Sequence, residues 1–126
     1  MIRFLVAAFL VTHGLIHASI YAAPKPADAE APFDPGHSWA LAAIHVAPQP
    51  VRTASTSLAW ATAVLFAVSA VALLLDVAWW APVAALAAAA GLVLKFGWFH
   101  PWLAVGVLLD VGVLAAVAAG WPASLF

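Results

Sequence analysis

The sequence has 126 residues, of which 67% are hydrophobic and only 7% are charged. An average soluble domain carries roughly 25% charged residues, so a water-soluble fold could not cover its surface with so few charges. The formal net charge of -1 and the lack of any Lys/Arg run give no basis for nucleic-acid binding. The absence of cysteine excludes disulfides and thiolate metal sites, and the length predicts one transmembrane domain over residues 1–126.

The first apolar stretch runs from about residue 2 to residue 22 and stops before Pro24 and Pro26, which cannot continue a helix. About 20 apolar residues suffice to span the hydrocarbon core of a bilayer. The stretch is longer than a typical secretory signal core, and bulky Tyr21 stands where a cleavage site needs a small residue. We therefore expect the first helix to be retained as a transmembrane span.

A polar segment, residues 24–56, follows the first helix and contains six of the nine prolines. Within it, the stretch from Ser38 to Val46 is apolar and free of proline. This stretch predicts a short helix that lies at the membrane interface or caps the bundle.

Three further apolar stretches predict transmembrane helices at about 57–75, 80–97 and 101–120. The second helix follows good N-cap residues between Thr53 and Ser57, and Pro82 and Pro101 stand in the first turns of the third and fourth helices, where proline is tolerated. The predicted fold is thus all-α: a four-helix transmembrane bundle with up-down topology, a Pro-rich loop and a short interfacial helix between the first two spans.

Tryptophan and tyrosine concentrate at the two surfaces of a membrane, and alternating helices would place them in two such groups. Tyr21, Trp39, Trp60, Trp98 and Trp102 would lie at the surface of the long loop, and Trp79, Trp80 and Trp121 at the opposite one. A small excess of basic residues favours a cytoplasmic long loop. We expect the protein to reside in a bacterial inner membrane, and Lys95 to extend its amine to the loop surface.

Three ionisable residues lie deep within the predicted spans, away from the helix ends, where such groups are costly and are candidates for function. His13 and His17 are four residues apart and share one helix face. Asp110 lies about nine residues in from the loop surface, as His13 does, and His17 lies one turn shallower. The equal depth predicts a His13–Asp110 pair, which would fix helix register or take part in metal, haem or proton chemistry.

Other residues offer weaker candidates. His45 in the loop and His100 at the start of the fourth span could join His13 and His17 as metal or cofactor ligands, since imidazole suits transition metals. Gly14 and Gly106 are predicted to allow close helix packing. The sequence has no nucleophile elbow, phosphate-binding glycine loop or metalloprotease motif, which favours a non-enzymatic role.

An arginine followed ten residues later by His-Gly, here Arg3, His13 and Gly14, in the first of four short transmembrane helices resembles the opening of the DoxX-like small membrane proteins. The resemblance implies an accessory role in membrane redox, since members of that family are associated with quinone-linked thiosulfate oxidation and oxidative-stress complexes.

Three functions remain open from the sequence. The first is an accessory or structural subunit that associates with other membrane subunits or with itself, with His13 and Asp110 as internal polar contacts. The second is a redox module in which His13 or His17 ligates haem or contacts a quinone headgroup. The third is a small transporter or metal-handling protein that uses the face formed by His13, His17 and Asp110. The spacing shows no opposed histidine pair for haem, so we expect no haem spectrum from the protein purified alone.

Overall fold

The computed structural model describes residues 1–22 and 33–126, and four of its helices are long and apolar enough to cross a membrane. No strand occurs in these two ranges, so the all-α prediction is confirmed. The helices are α1 (Ile2–Ala22), α2 (Trp39–Ala42), α3 (Pro48–Leu74), α4 (Trp80–Gly97) and α5 (Ala104–Ala118), with 3₁₀ turns at Pro101–Leu103 and Ala123–Leu125.

The four long helices pack in sequence order, with α1 against α3, α3 against α4, and α4 against α5. Small residues on α3 and α4 permit this close packing, because Ala59, Ala84 and Ala88 are fully buried between helices. On α1, a Cβ at Gly14 would lie 2.9 Å from the Cβ of Phe66 and 3.1 Å from the carbonyl oxygen of Ala63. Gly14 therefore has the packing position that the sequence predicts.

The two ends of the bundle have separate apolar cores. One lies near the start of α1 and includes Leu10, Phe66 and Leu73, and the other lies near the long loop and includes Tyr21 and Leu94. The histidines of α1 lie between these two cores along the helix. The histidines thus have apolar side chains on both sides of them along the bundle.

Helix α3 begins at Pro48, nine residues before the predicted start at residue 57. Pro48 occupies the first turn, where its missing N–H is not needed. The polar residues that suggested a later start do not cap the helix but bond back along it. Thr53 Oγ1 donates to the carbonyl of Gln49 at 3.1 Å, and Ser55 Oγ donates to the carbonyl of Arg52 at 2.9 Å. The loop before α3 is accordingly shorter than the predicted segment 24–56, part of which lies outside the described residues.

The predicted short helix between the first two spans is the four-residue helix α2, and it caps the bundle. Ser38 Oγ donates to the carbonyl oxygen of Gly97, and Trp39 Nε1 donates to that of Phe96, both at 2.6 Å. These carbonyls end α4 and have no partner within that helix. His45, with a φ of 59°, ends the turn that follows α2.

Two of the seven tryptophans pack inside the bundle and do not face outward. Trp80 and Trp98 are each only 7% exposed. Trp80 packs against Phe126, with ring centroids 5.0 Å apart, and Trp98 Nε1 donates to the carbonyl oxygen of Pro35 at 2.9 Å. Both contribute to the cores at the ends of the bundle, while the other five tryptophans are exposed.

The four-span architecture requires that the carboxyl terminus and the segment before α2 lie on opposite sides of the membrane. A reporter of compartment fused after Phe126 and one inserted at exposed His37 should therefore give opposite signals. Equal signals from the two reporters would contradict the four-span architecture.

Candidate intramembrane polar site

The site is built around Asp110, which lies at the middle of α5 and is completely buried. Its Oδ1 lies 2.6 Å from Nε2 of His13 on α1, the pairing that the equal depth of the two residues predicts. His13 itself is only 3% exposed. A carboxylate at this depth would otherwise meet lipid, so the contact lets α5 bury its one charged residue.

Lys95 of α4 completes the site, contrary to the expectation that its amine would reach the loop surface. The residue is 3% exposed, and its Nζ lies 2.6 Å from Asp110 Oδ2 and 2.5 Å from His17 Nε2. A lysine near a helix end can extend its long stem either outward or inward. Here the buried carboxylate of Asp110 lies within reach inside the bundle. The Coulomb attraction between opposite charges is stronger in this low-dielectric interior than at a surface.

The hydrogen-bond partners assign the protons in the cluster. The carbonyl oxygen of His13 can only accept, so His17 Nδ1, 2.9 Å away, carries a proton, and neutral His17 accepts from Lys95 at Nε2. An ionised Asp110 likewise accepts from His13 Nε2 and from Lys95. The Lys95 ammonium and the Asp110 carboxylate are thus opposite charges in direct contact.

Two glycines make room for the charged groups. A Cβ at Gly91 would lie 2.5 Å from Asp110 Oδ2 and 2.7 Å from His17 Nε2. A Cβ at Gly106 would lie 2.5 Å from Cε of Lys95. Gly106, predicted as a packing residue, thus accommodates the lysine stem and not another helix backbone.

Aromatic rings surround the two histidines. Phe9 stacks on His13 with centroids 5.6 Å apart, and Phe66 meets the same ring edge-on at 5.1 Å. The two histidine rings are themselves edge to face at 4.8 Å. Such an apolar shell lowers the local dielectric constant, which strengthens each hydrogen bond that is made and raises the cost of any that is missing.

The remaining candidate ligands lie elsewhere. His45 is exposed and ends the turn after α2, and the Nδ1 of His100 accepts from the backbone N–H of Trp102 at 3.2 Å, which caps the 3₁₀ turn before α5. Both histidines thus have local backbone roles. Nothing in the sequence alone distinguishes these roles from metal ligation.

His13, His17 and Asp110 have the geometry of a metal-ligand set, with one ligand atom of each within 4.8 Å of the others. However, the ammonium of Lys95 already lies against two of these groups, at His17 Nε2 and Asp110 Oδ2. A metal cation could bind there only if the Lys95 ammonium moved away or gave up a proton to another acceptor. Lys95 therefore serves as the cation of the cluster.

The glycine that adjoins the cluster supplies a direct test of its packing. Gly91→Ala should lower the free energy of unfolding by about 1–3 kcal/mol, the usual cost of overpacking, because the new methyl group meets Asp110 and His17. Gly97→Ala is the matched control on the same helix, since a Cβ there meets nothing within 4 Å. Denaturant titration in detergent micelles measures both changes, and equal effects would contradict the packing described.

The buried ion pair predicts strong coupling between its partners. Lys95→Met and Asp110→Asn should each destabilise the protein by about 3–5 kcal/mol, because each leaves an opposite charge buried without its partner. The double variant should lose far less than the sum, since it removes both charges. The same titration tests this cycle, and additive losses would show that the two groups do not depend on each other.

Comparison with protein-family models, with curated proteins and with solved structures finds no match for this chain. Its own sequence and structure identify it as a small all-α integral membrane protein with four helices able to span the bilayer.

Proposed function

We propose that the protein is an accessory subunit of a larger assembly in the bacterial inner membrane, and that the His13–His17–Lys95–Asp110 cluster holds its helices in register. The observation that carries this proposal is that the buried carboxylate has all its partners within the bundle. Both oxygens of Asp110 have partners inside the bundle, one on α1 and one on α4. A cluster of this kind joins three helices without requiring an ion or a cofactor to complete it.

The contacts of the two histidines favour this role over haem ligation. Nε2 of His13 bonds to Asp110, and Nε2 of His17 bonds to Lys95. Nδ1 of His17 is bonded to the backbone. An axial haem ligand needs a free ring nitrogen directed at the iron. Both ring nitrogens of His17 are bonded and only Nδ1 of His13 lacks a partner, so two histidine ligands would require one of the His17 bonds to break.

The outer face of α5 is the surface that best fits a partner. Only 17% of the 18-residue span that contains α5 is buried inside the bundle, whereas 39–44% of the most apolar 18-residue stretch is buried in the other three spans. Gly112, Ala115 and Ala119 are exposed along it, and small residues allow another helix to approach closely in a membrane. Another subunit or a second copy of the chain would pack along this face.

The redox character of the assembly follows from a resemblance in the sequence. It rests on the resemblance of Arg3, His13 and Gly14 to the start of the DoxX-like proteins. Transport has less support, because α1, α4 and α5 are continuous through the depth of the cluster, whereas transporter sites usually involve interrupted helices.

Removing both charges at once separates a structural role from a chemical one. The double variant Lys95→Met/Asp110→Asn should co-purify with the same subunits from bacterial membranes, in mild detergent, and leave the oxidoreductase activity of the assembly unchanged. The matched control is Arg3→Met/Asp76→Asn, which removes an exposed ion pair between α1 and the turn after α3. Intact assembly with lost activity in the first variant alone would show that the buried charges take part in chemistry. Recovery of the native protein without any companion would contradict the accessory role.

The position of the partner can be tested with a photo-crosslinking residue. Leu108 on α5 and Val64 on α3 are both strongly exposed to the membrane, at 71% and 55%. A crosslinker at position 108 should capture a protein subunit, and one at position 64 should react with lipid. Capture at position 64 alone would place the interface on the wrong side of the bundle for this proposal.

A further inference from the structure

Three exposed aromatic side chains form an open pocket of about 540 Å³ at the loop end of α4. They are Trp39 of α2, Phe96 in the last turn of α4 and Phe99 in the connection to α5, and their exposed fractions are 58%, 70% and 58%. Within residues 1–22 and 33–126, these three side chains are the whole lining of the pocket. A ligand that enters it therefore meets aromatic rings.

The indole of Trp39 is held in place by a hydrogen bond to α4. Its Nε1 donates to the carbonyl oxygen of Phe96 at 2.6 Å. The neighbouring residue, Ser38, donates from Oγ to the carbonyl oxygen of Gly97 at the same distance. A ring that is fixed before a ligand arrives loses little conformational entropy on binding. The Trp39 side of the pocket is thus formed in advance.

The electrostatics of the pocket favour a cation. The face of an aromatic ring carries partial negative charge and attracts ammonium groups. The carboxyl end of a helix adds partial negative charge, roughly half an elementary charge. Lys95 is the basic residue in the last turn of α4, but its amine is directed inward to Asp110. The negative end of α4 therefore lies beside the pocket without the lysine that would balance it.

The pocket lies where α4 leaves the hydrocarbon layer of the membrane. Val93 is three residues before Phe96 on the same helix face and is 62% exposed, so this apolar face meets lipid tails. Aromatic residues at the end of a membrane span lie at the level of the lipid headgroups. The ammonium groups of zwitterionic phospholipids lie at this level and have the charge that the pocket favours.

We propose that this aromatic pocket binds the ammonium group of a zwitterionic phospholipid headgroup. The ammonium lies against the rings of Trp39, Phe96 and Phe99, and the acyl chains run along the outer face of α4 past Val93. This inference goes beyond the accessory role, because no residue of the pocket belongs to the cluster around Asp110.

The indole of Trp39 reports on the pocket directly. Protein labelled with 5-fluorotryptophan gives a ¹⁹F resonance for each tryptophan, and the one lost in Trp39→Phe is that of Trp39. The labelled protein is placed in phosphatidylglycerol nanodiscs, which have no ammonium groups, and the fraction of phosphatidylcholine is then raised. The Trp39 resonance should shift to saturation. Trp60, which is 53% exposed on α3 and outside the pocket, should not shift with it.

The control lipid carries a 3,3-dimethylbutyl ester in place of choline, which keeps the shape of the headgroup and removes its positive charge. It should leave the Trp39 resonance unshifted, because a neutral group gains no cation–π attraction from the rings. No saturable shift with phosphatidylcholine, an equal shift with the control lipid, or an equal shift of Trp60 would overturn the proposal.

Two variants locate the binding site, with the phosphatidylcholine fraction at half of the Trp39 shift as the measurement. Phe96→Leu and Phe99→Leu each remove a ring from an exposed position and keep an apolar side chain. Each should weaken binding roughly two- to fivefold, the effect of one exposed cation–π contact. Phe4→Leu is the matched control, since Phe4 is 69% exposed near the start of α1 and should bind as the native protein does. Native affinity in both pocket variants would overturn the proposed site.

Discussion

The buried carboxylate of Asp110 is the constraint to which the rest of the bundle conforms. An ionised carboxylate near the bilayer centre costs at least about 2.5–3.5 kcal/mol, so the helix that carries it must present it to partners. Helix α5 buries only Asp110 and Val113, and its rotation about its own axis is therefore set by the contacts of the acid with α1 and α4. Because those contacts are made by side chains, α1 and α5 stay apart elsewhere, and a cavity remains between them.

Much of this arrangement could be predicted from the sequence, because the bilayer fixes the length and depth of each span. Uniformly apolar stretches predict the four helices, and counting residues inward from a common surface matches His13 with Asp110. Depth is a reliable guide for short side chains, whose polar atoms lie near their own backbone. Close approach at Gly14 follows from the same logic, since small residues on apolar helices usually mark contacts.

Depth counting fails for Lys95, whose long stem separates the amine from its backbone by about a helical turn. Its position near the end of α4 favours the surface, and only the facing carboxylate favours the interior. Gly91, four residues earlier on the same helix face, and Gly106 on α5 are the signals that could have indicated an inward lysine. The predicted start of α3 at residue 57 is wrong for a similar reason. The hydroxyls of Thr53 and Ser55 could cap the start of a helix or donate to a carbonyl one turn earlier within it, and the sequence does not distinguish these two roles.

The balance of charge within the cluster has an electrical consequence. A membrane potential acts on a protein in proportion to the net charge moved across the bilayer, about 2.3 kcal/mol per elementary charge per 100 mV. The Lys95 ammonium and the Asp110 carboxylate are in direct contact, so they lie at nearly the same depth and any joint displacement moves no net charge. Helix rearrangements that keep this pair together are therefore insensitive to voltage. Within the cluster, separation of the pair, or the gain or loss of a proton at one of the four residues, would move net charge and respond to the membrane potential.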